Sequence, residues 1–265
     1  MYPKLSVITI VMNGMPYVEQ TIDSVLNQSY RNSEYIVIDG GSIDGTVDVI
    51  KSRESGITKW VSEKDKGIAD AFNKGLSFAT GDYILFLNAD DALVNSEILK
   101  VMAEEIVKDN FPDLIYGDCN LLDRHHGQIL NRTRVIFSHQ NLRRGGVMPH
   151  PSLFTHRRYF EKYGTFDPDF KIAMDYEWML RGAFDVRISR VPILVTNVRS
   201  GGISTLNRSK AVNEIISALK KNKCITSVWG EIEMRAYFLL RALARKALAS
   251  VGLYRLFVFL RNKIS

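Results

Sequence analysis

Four short apolar runs alternate with segments of helical spacing over the first 91 residues, and no other feature of this sequence narrows its fold as much. The runs are "LSVITIVMN" (5–13), "SEYIVIDGGSIDGT" (33–46), "ITKWVSE" (57–63) and "YILFLNADD" (83–91). Their apolar stretches are rich in β-branched and aromatic residues and are continuous rather than alternating. That is the pattern of strands buried on both faces of a parallel sheet. Between them lie "PYVEQTIDSVLNQSY" (16–30), "TVDVIKSRE" (46–54) and "GIADAFNKGLSFAT" (67–80), which read as helices. In the first, Tyr17, Ile22, Val25 and Leu26 fall near helical spacing behind a proline suited to a helix start. Strand and helix in turn predict an α/β fold, a doubly wound, mainly parallel sheet flanked by helices.

Ligands of such sheets bind beyond the carboxyl ends of the strands. Those ends carry Met12–Asn13, then Asp39 with Gly40–Gly41, then Glu63–Lys64–Asp65, then Asn88, Asp90 and Asp91. Polar and acidic residues therefore collect along one edge, which is the candidate site. Asp90 and Asp91 on a tight turn suit a hard divalent cation, Mg²⁺ or Mn²⁺, whose remaining ligands are water and phosphate oxygens. The plainer alternative is a solvated turn, with Asp91 capping the helix that "SEILKVMAEEIV" (96–107) forms. "DGGSIDGT" (39–46) sets an acid at a strand end, then glycines that admit a ligand to the backbone; it is equally a strand-to-helix turn with Asp44 or Thr46 as N-cap. It is no P-loop, because no Gly-Lys-Ser/Thr follows, and it lacks the GxGxxG spacing of dinucleotide folds.

From 115 to 200 the pattern is less regular and reads as mixed α+β, completing the sheet; from 208 it is helical. Charge divides at the same place. The chain carries +6 overall, yet its body is slightly acidic and residues 208–265 are strongly basic. Two distant cysteines, Cys119 and Cys224, match no metal spacing and suit free thiols in a reducing compartment. The apolar run Leu5 to Met12 is too short and lacks the basic flank of a secretory signal, and no run of roughly 18 apolar residues occurs. A cytoplasmic protein is expected.

In order and spacing, "VITIVMNG", "YIVIDGGSIDGT", "SEKDKGIADAFNKGLSFATGDYILFLNADD" and "GTFDPDFKIAMDYEWMLR" resemble the family 2 glycosyltransferases of GT-A fold, over about residues 4–200. The resemblance implies a nucleotide-sugar-binding half at 1–114 and an acceptor and catalytic half at 115–207, followed by a helical tail at 208–265. Asp39 matches the strand-end acid that binds the nucleotide base, and the Thr9–Asn13 segment (Thr9, Val11, Asn13) matches the backbone bordering it. Glu63, Asp65 and Lys66 sit where the family lines the nucleotide and diphosphate pocket. Asn88-Ala89-Asp90 takes the DxD position, so the resemblance makes Asp90 the metal ligand, with Asn88 near ribose or bound water and Asp91 beside the donor sugar. Asp175 falls on the second acid of the family's Glu-Asp pair, the catalytic base. Met174 replaces the first acid of that pair, and Phe72 stands where many relatives have Arg.

This implies an inverting transfer from a nucleoside-diphosphate sugar, with uridine the commonest base, to a glycan or lipid-linked acceptor. A cation on Asp90 would stabilise the departing diphosphate, and Asp175 would take the acceptor proton. Asp175 alternatively caps or charges the first turn of its own helix, and Glu177 competes for the role of base. His150, between two prolines, is a candidate acceptor contact, and "SGGIST" (200–205) a candidate loop over the diphosphate; no role is assigned to His125–His126. The tail 233–265 interleaves Arg and Lys with Leu, Phe and Tyr, which suits a helix in the headgroup layer of an anionic membrane, hence a peripheral location. Its alternative is a helix packed on the body with its basic face in water. Nucleic acid is not an expected partner, because the basic excess is confined to the tail and no reader motif occurs. Two other classes fit less well: a nucleotidyltransferase, which lacks a suitable triphosphate loop at "VMNGMP", and a non-catalytic nucleotide-binding subunit.

Overall fold

The four apolar runs pair side by side as parallel strands. A computed structural model describes residues 1–202 and 207–250. In chain order its first half runs β1 (Leu5–Val11), α1 (Val18–Leu26), β2 (Ser33–Asp39), α2 (Thr46–Ser52), β3 (Lys59–Ser62), α3 (Ile68–Phe78), β4 (Tyr83–Asn88), β5 (Ala92–Leu93) and α4 (Ile98–Lys108). The second half runs β6 (Leu114–Leu122), β7 (Ile129–Thr133), α5 (His139–Arg143), β8 (Leu153–His156), α6 (Arg157–Tyr163), α7 (Met174–Gly182), β9 (Ile188–Arg199), α8 (Arg208–Lys221) and α9 (Val228–Ser250). The strands form one sheet in the order β3-β2-β1-β4-β8-β6-β9-β5, with β7 also on β6. It is parallel from β3 to β4 and mixed beyond, where β8 runs antiparallel to both β4 and β6.

Alternate side chains of the central strands enter two cores, as the two-residue period of a strand requires. Ile8, Ile36, Ile38, Ile84 and Phe86 face α3 and the α6–α8 side. Val7, Tyr35, Val37, Leu85 and Leu87 face α1, α2 and α4. Each fully buried aliphatic side chain contributes roughly 1.5–3 kcal/mol. Gly75 lets α3 lie on this surface, since a Cβ there would stand 2.5 Å from Ile8 Cγ2. Register brings the ends level: Val11 pairs with Asp39, Ile10 with Asn88, and Asp39 with Ser62.

Several boundaries differ from expectation. The fourth strand ends at Asn88, so Asp90 and Asp91 sit in the following turn. Asp91 does not cap the next helix, because β5 intervenes and Glu97 precedes α4. Gly45, not Asp44 or Thr46, occupies the N-cap position of α2, although Asp44 accepts the Thr46 N–H at 3.1 Å. Residues 203–205 of the "SGGIST" segment and Leu206 lie outside the described residues, as do tail residues 251–265. Within the described part of the tail, α8 adds Ala218 and Leu219 to the core, and α9 packs on it through Met234 and the Lys220–Glu231 pair at 2.8 Å. Both cysteines are free thiols.

Candidate active site

The β1 and β2 ends are locked together before any ligand is considered. Asp39 is 0% exposed, and its carboxylate accepts the N–H groups of Gly41 at 3.1 Å and Ser42 at 3.0 Å and the Ser62 hydroxyl at 2.6 Å. Asn13, in the left-handed region at φ 52°, donates its N–H to Ser42 Oγ at 2.7 Å and accepts the Ile43 N–H at 3.0 Å. Gly14 N–H reaches Thr46 Oγ1 at 2.9 Å. The turn after β1 and the glycine turn after β2 are therefore one hydrogen-bonded rim. Val11 supports it from the core and accepts the Gly40 N–H at 2.8 Å. Thr9 is placed differently: it lies within β1, fully buried, and its hydroxyl accepts the Tyr35 O–H at 3.0 Å.

After β3, Glu63 and Asp65 converge on Lys74 of α3, at 2.7 and 3.1 Å. The Glu63 carboxylate is the main reason the Lys74 ammonium titrates above its ordinary range. Asp65 reaches over the end of β2 because residue 40 is glycine; a Cβ there would lie 2.6 Å from Asp65 Oδ2. Lys66 is exposed, and its N–H donates to Asp70 Oδ2 at 3.1 Å.

The acid pair after β4 divides by environment. Asp91 is 1% exposed and accepts the Asn88 amide at 3.0 Å and the Arg199 N–H at 3.2 Å. Burial, and then the adjacent Asp90 charge, push its carboxyl up to about 7. Asp90 is half-buried, with Oδ2 3.0 Å from Arg124 Nη1. Arg124 follows β6 and Arg199 closes β9. Both guanidinium groups lie over the Tyr17 ring, at 5.5 and 4.2 Å, and Tyr17 donates to the Arg124 carbonyl at 2.7 Å. Sequence reasoning missed this basic clamp. The one available signal was that Arg199 directly precedes the glycine loop at 200–202.

A second group assembles on the other core. His150 lies among Phe72, Phe86 and Phe166, with ring centroids 5.3, 5.6 and 6.3 Å away. Burial holds its imidazole pKa below the usual value, opposed by the Asp175 charge. Asp175 is half-buried in the first turn of α7. Glu177, two residues on and so on the other side of the helix, is fully buried and bound by Arg181, by Lys221 at 3.0 Å and by the Asn222 amide at 3.3 Å. Its carboxylate is thus occupied in holding α7 to α8, whereas the Asp175 charge acts on His150. Phe72, in the position where Arg was noted as common, is core: it stacks on Phe86 at 4.6 Å.

The sequence profile of Glycosyl transferase family 2 matches residues 6–164, more than half of the chain. The chain belongs to glycosyl transferase family 2. It is a glycosyltransferase, which replaces the nucleotidyltransferase alternative. An uncharacterized glycosyltransferase of Mycobacterium tuberculosis (strain ATCC 25618 / H37Rv) is 32% identical over 212 residues, 79% of this chain and 80% of that protein. A PGL/p-HBAD biosynthesis glycosyltransferase of Mycobacterium bovis (strain BCG / Pasteur 1173P2) is 26% identical over 219 residues, 81% of this chain and 80% of that one. Among solved structures, S. aureus TarS 1–349 in complex with UDP-GlcNAc superposes with a TM-score of 0.63 at 17% identity, covering 94% of this chain and 75% of that one. This chain spans 43% of the longer TarS structure. The mannosyltransferase PcManGT from Pyrobaculum calidifontis, in complex with GDP-Man and Mn²⁺, gives 0.62 at 18% identity, with 98% and 84% covered. At these identities the structural likeness establishes the fold, which is GT-A.

Proposed function

We propose that this glycosyltransferase inverts the anomeric centre, moving a sugar from a nucleoside diphosphate, uridine being the expected base, to a hydroxyl of a glycan or lipid-linked acceptor. The observation that carries the reading is the separation of charge within one face. Acids and two arginines gather at the strand ends, while Asp175 stands apart with His150 among aromatic rings. In this reading Asp39 acts by holding the Gly40–Ser42 turn against the nucleoside, and Asn13, Glu63, Asp65 and Lys66 line the same pocket. Asn88 meets the ribose, and Asp91 lies beside the donor sugar. Arg124 and Arg199 receive the diphosphate charge as the bond from the anomeric carbon to the phosphate oxygen breaks. Asp175 takes the proton of the attacking hydroxyl, a role worth roughly 10²–10⁴-fold. One base on the face opposite the leaving group gives inversion, and His150 contacts the acceptor.

A divalent cation fits these residues in one way. Among the described residues no group of three or more His, Cys, Asp or Glu side chains is placed to hold a metal. Asp90 nonetheless offers a half-exposed carboxylate on a turn. One carboxylate suffices where substrate phosphates and water complete the shell, as Mg²⁺ and Mn²⁺ accept. Bound there, the ion would act as a Lewis acid on the departing diphosphate.

The test is release of nucleoside diphosphate from a panel of UDP-, GDP- and dTDP-sugars with Mn²⁺ or Mg²⁺, alongside calorimetric binding to wild type and Asp90→Ala. Metal-enhanced binding and turnover of one donor class, lost in the variant, is the expected result. No nucleotide binding with either metal would sink the site. Binding without turnover, indifferent to Asp90→Ala, would favour a binding subunit.

The acceptor reading is supported by α9. Its body side carries Glu231, Met234, Arg235 and Phe238, which meet Lys220, the core, Asn213 and Gly145. At 100° per residue, Val228, Trp229, Ile232, Leu239, Leu240 and Leu243 fall on a neighbouring arc of about 120°, all exposed, with Trp229 at 80%. The part of α9 left in water thus carries this apolar arc together with the exposed Arg241 and Lys246. An apolar arc flanked by Arg and Lys suits an anionic bilayer surface. Flotation with vesicles containing anionic lipid should capture the wild type and release Trp229→Glu/Leu240→Glu. Equal capture of both proteins would refute the role of this arc, and failure to capture the wild type would refute the membrane reading. Among the described residues no helix is long and apolar enough to cross a membrane.

A further inference from the structure

Within the first turn of α7 the Asp175 carboxylate accepts the Tyr176 N–H at 2.8 Å. Ala173 precedes the helix and makes no side-chain cap bond, yet Asp175 sits two residues later. The missing acceptor comes from another helix: Glu214 of α8 takes three successive backbone N–H groups. Lys171 donates to Oε1 at 3.1 Å, and Ile172 and Ala173 donate to Oε2 at 2.8 Å each. A carboxylate at this place satisfies the N–H groups of the bend that enters the helix and complements its dipole. The same α8 grips α7 again through Lys221 and Asn222 on Glu177. Two anchors from α8 and the residue that follows it thus fix both the direction of α7 and the bend at 171–173 that leads into its first turn.

We propose that Glu214 is a positioning residue for Asp175, holding the 171–173 backbone so that the α7 carboxylate meets the acceptor hydroxyl in one fixed geometry. The inference rests on Asp175 being the base. Positioning errors well under a helical turn are costly in proton transfer, because the acceptor proton and the carboxylate must come within hydrogen-bond reach. The hydrogen bonds of Glu214 go to the 171–173 backbone and not to the strand-end acids, so its loss should fall on turnover more than on donor affinity.

The experiment compares wild type with Glu214→Ala, Glu214→Gln, Asp175→Asn and the Glu214→Ala/Asp175→Asn double variant. Amide hydrogen exchange of residues 171–173 needs no substrate. Glu214→Ala should speed it at least tenfold while leaving sheet amides protected, and Glu214→Gln, which keeps one carbonyl acceptor, should do so less. Release of nucleoside diphosphate from UDP-GlcNAc and GDP-mannose, with Mn²⁺ and water as acceptor, then reads catalysis. Glu214→Ala should lower kcat about thirtyfold with donor KM within twofold, and should cost less than twofold on top of Asp175→Asn. Unchanged exchange at 171–173, a raised donor KM, or an equal kcat loss in the Asp175→Asn background would each overturn the inference. A slowed Asp175→Asn beside a Glu214→Ala of wild-type kcat removes the inference alone. Undiminished turnover in Asp175→Asn removes the base assignment and the inference together. If Glu214→Ala does not fold, Glu214→Gln carries both measurements.

Discussion

Replacing Arg124 with Ala should tighten Mn²⁺ binding to the nucleotide-free protein and weaken it once a nucleoside diphosphate is present. In the structure the guanidinium occupies the Asp90 oxygen that a cation would use, at 3.0 Å, with the two side chains 39% and 28% exposed. An exposed pair of this kind is worth about 0.2–1 kcal/mol, so freeing the carboxylate gains up to about fivefold. Removing a unit charge some ~5 Å from a dication adds about 1.7 kcal/mol at the dielectric of water, which salt reduces. Together these give a Kd roughly 5–20-fold tighter. With UDP bound, the same arginine would serve the diphosphate, and a charge-assisted hydrogen bond of about 1.5–3 kcal/mol is lost, at least about tenfold in ternary affinity. Calorimetry at fixed ionic strength, with Arg124→Lys as the charge-preserving control, reads both states. A variant that binds Mn²⁺ less tightly without nucleotide would refute the reasoning, as would one unaltered in both states.

Two further predictions concern the scaffold. Burial alone would raise the Glu34 pKa, but hydrogen bonds from Lys4, Ser6 and Thr80 outweigh it and bring it down to about 2. Because the folded pKa is lowered, this carboxylate stabilises the fold above its ordinary value of 4.5, and the benefit drains away as pH falls toward 2. Glu34→Gln should therefore cost about 2–3 kcal/mol in urea unfolding at pH 7 and much less near pH 2; a pH-independent cost would contradict this. Gly75→Ala gains about 1 kcal/mol of helix propensity but forces a Cβ to 2.5 Å from Ile8 Cγ2. Overpacking of this kind costs about 1–3 kcal/mol, so a lower denaturation midpoint is expected, and a higher one would show that α3 can lift off the sheet freely.

The parallel half of the sheet was written locally. Val7, Ile8, Ile36, Val37, Ile84 and Leu85 are all buried, so their segments are dominated by apolar residues, and a strand that must be dry on both faces leaves that record in its own residues. The acids at the ends were legible for the same reason, since they mark where burial stops. Boundaries were not: Asp90 and Asp91 follow apolar residues directly, and only the pairing of Ile10 with Asn88 shows where the ladder ends. Arg124 and Glu214 carried no local sign, and Arg199 only the glycines that follow it. The two arginines meet the acid turn because β6 and β9 pair in parallel with shifts of register near Asp118, and Glu214 reaches Ala173 across 41 positions of chain. α9 shows the same division, for its composition announced an amphipathic helix, while only its contacts with α8 determined which arc is left outward. Sequence periodicity reports how deeply each segment is buried, because burial acts on residues one at a time. Which polar side chains meet is decided by the register and crossing of distant segments, and that is a property of the folded chain as a whole.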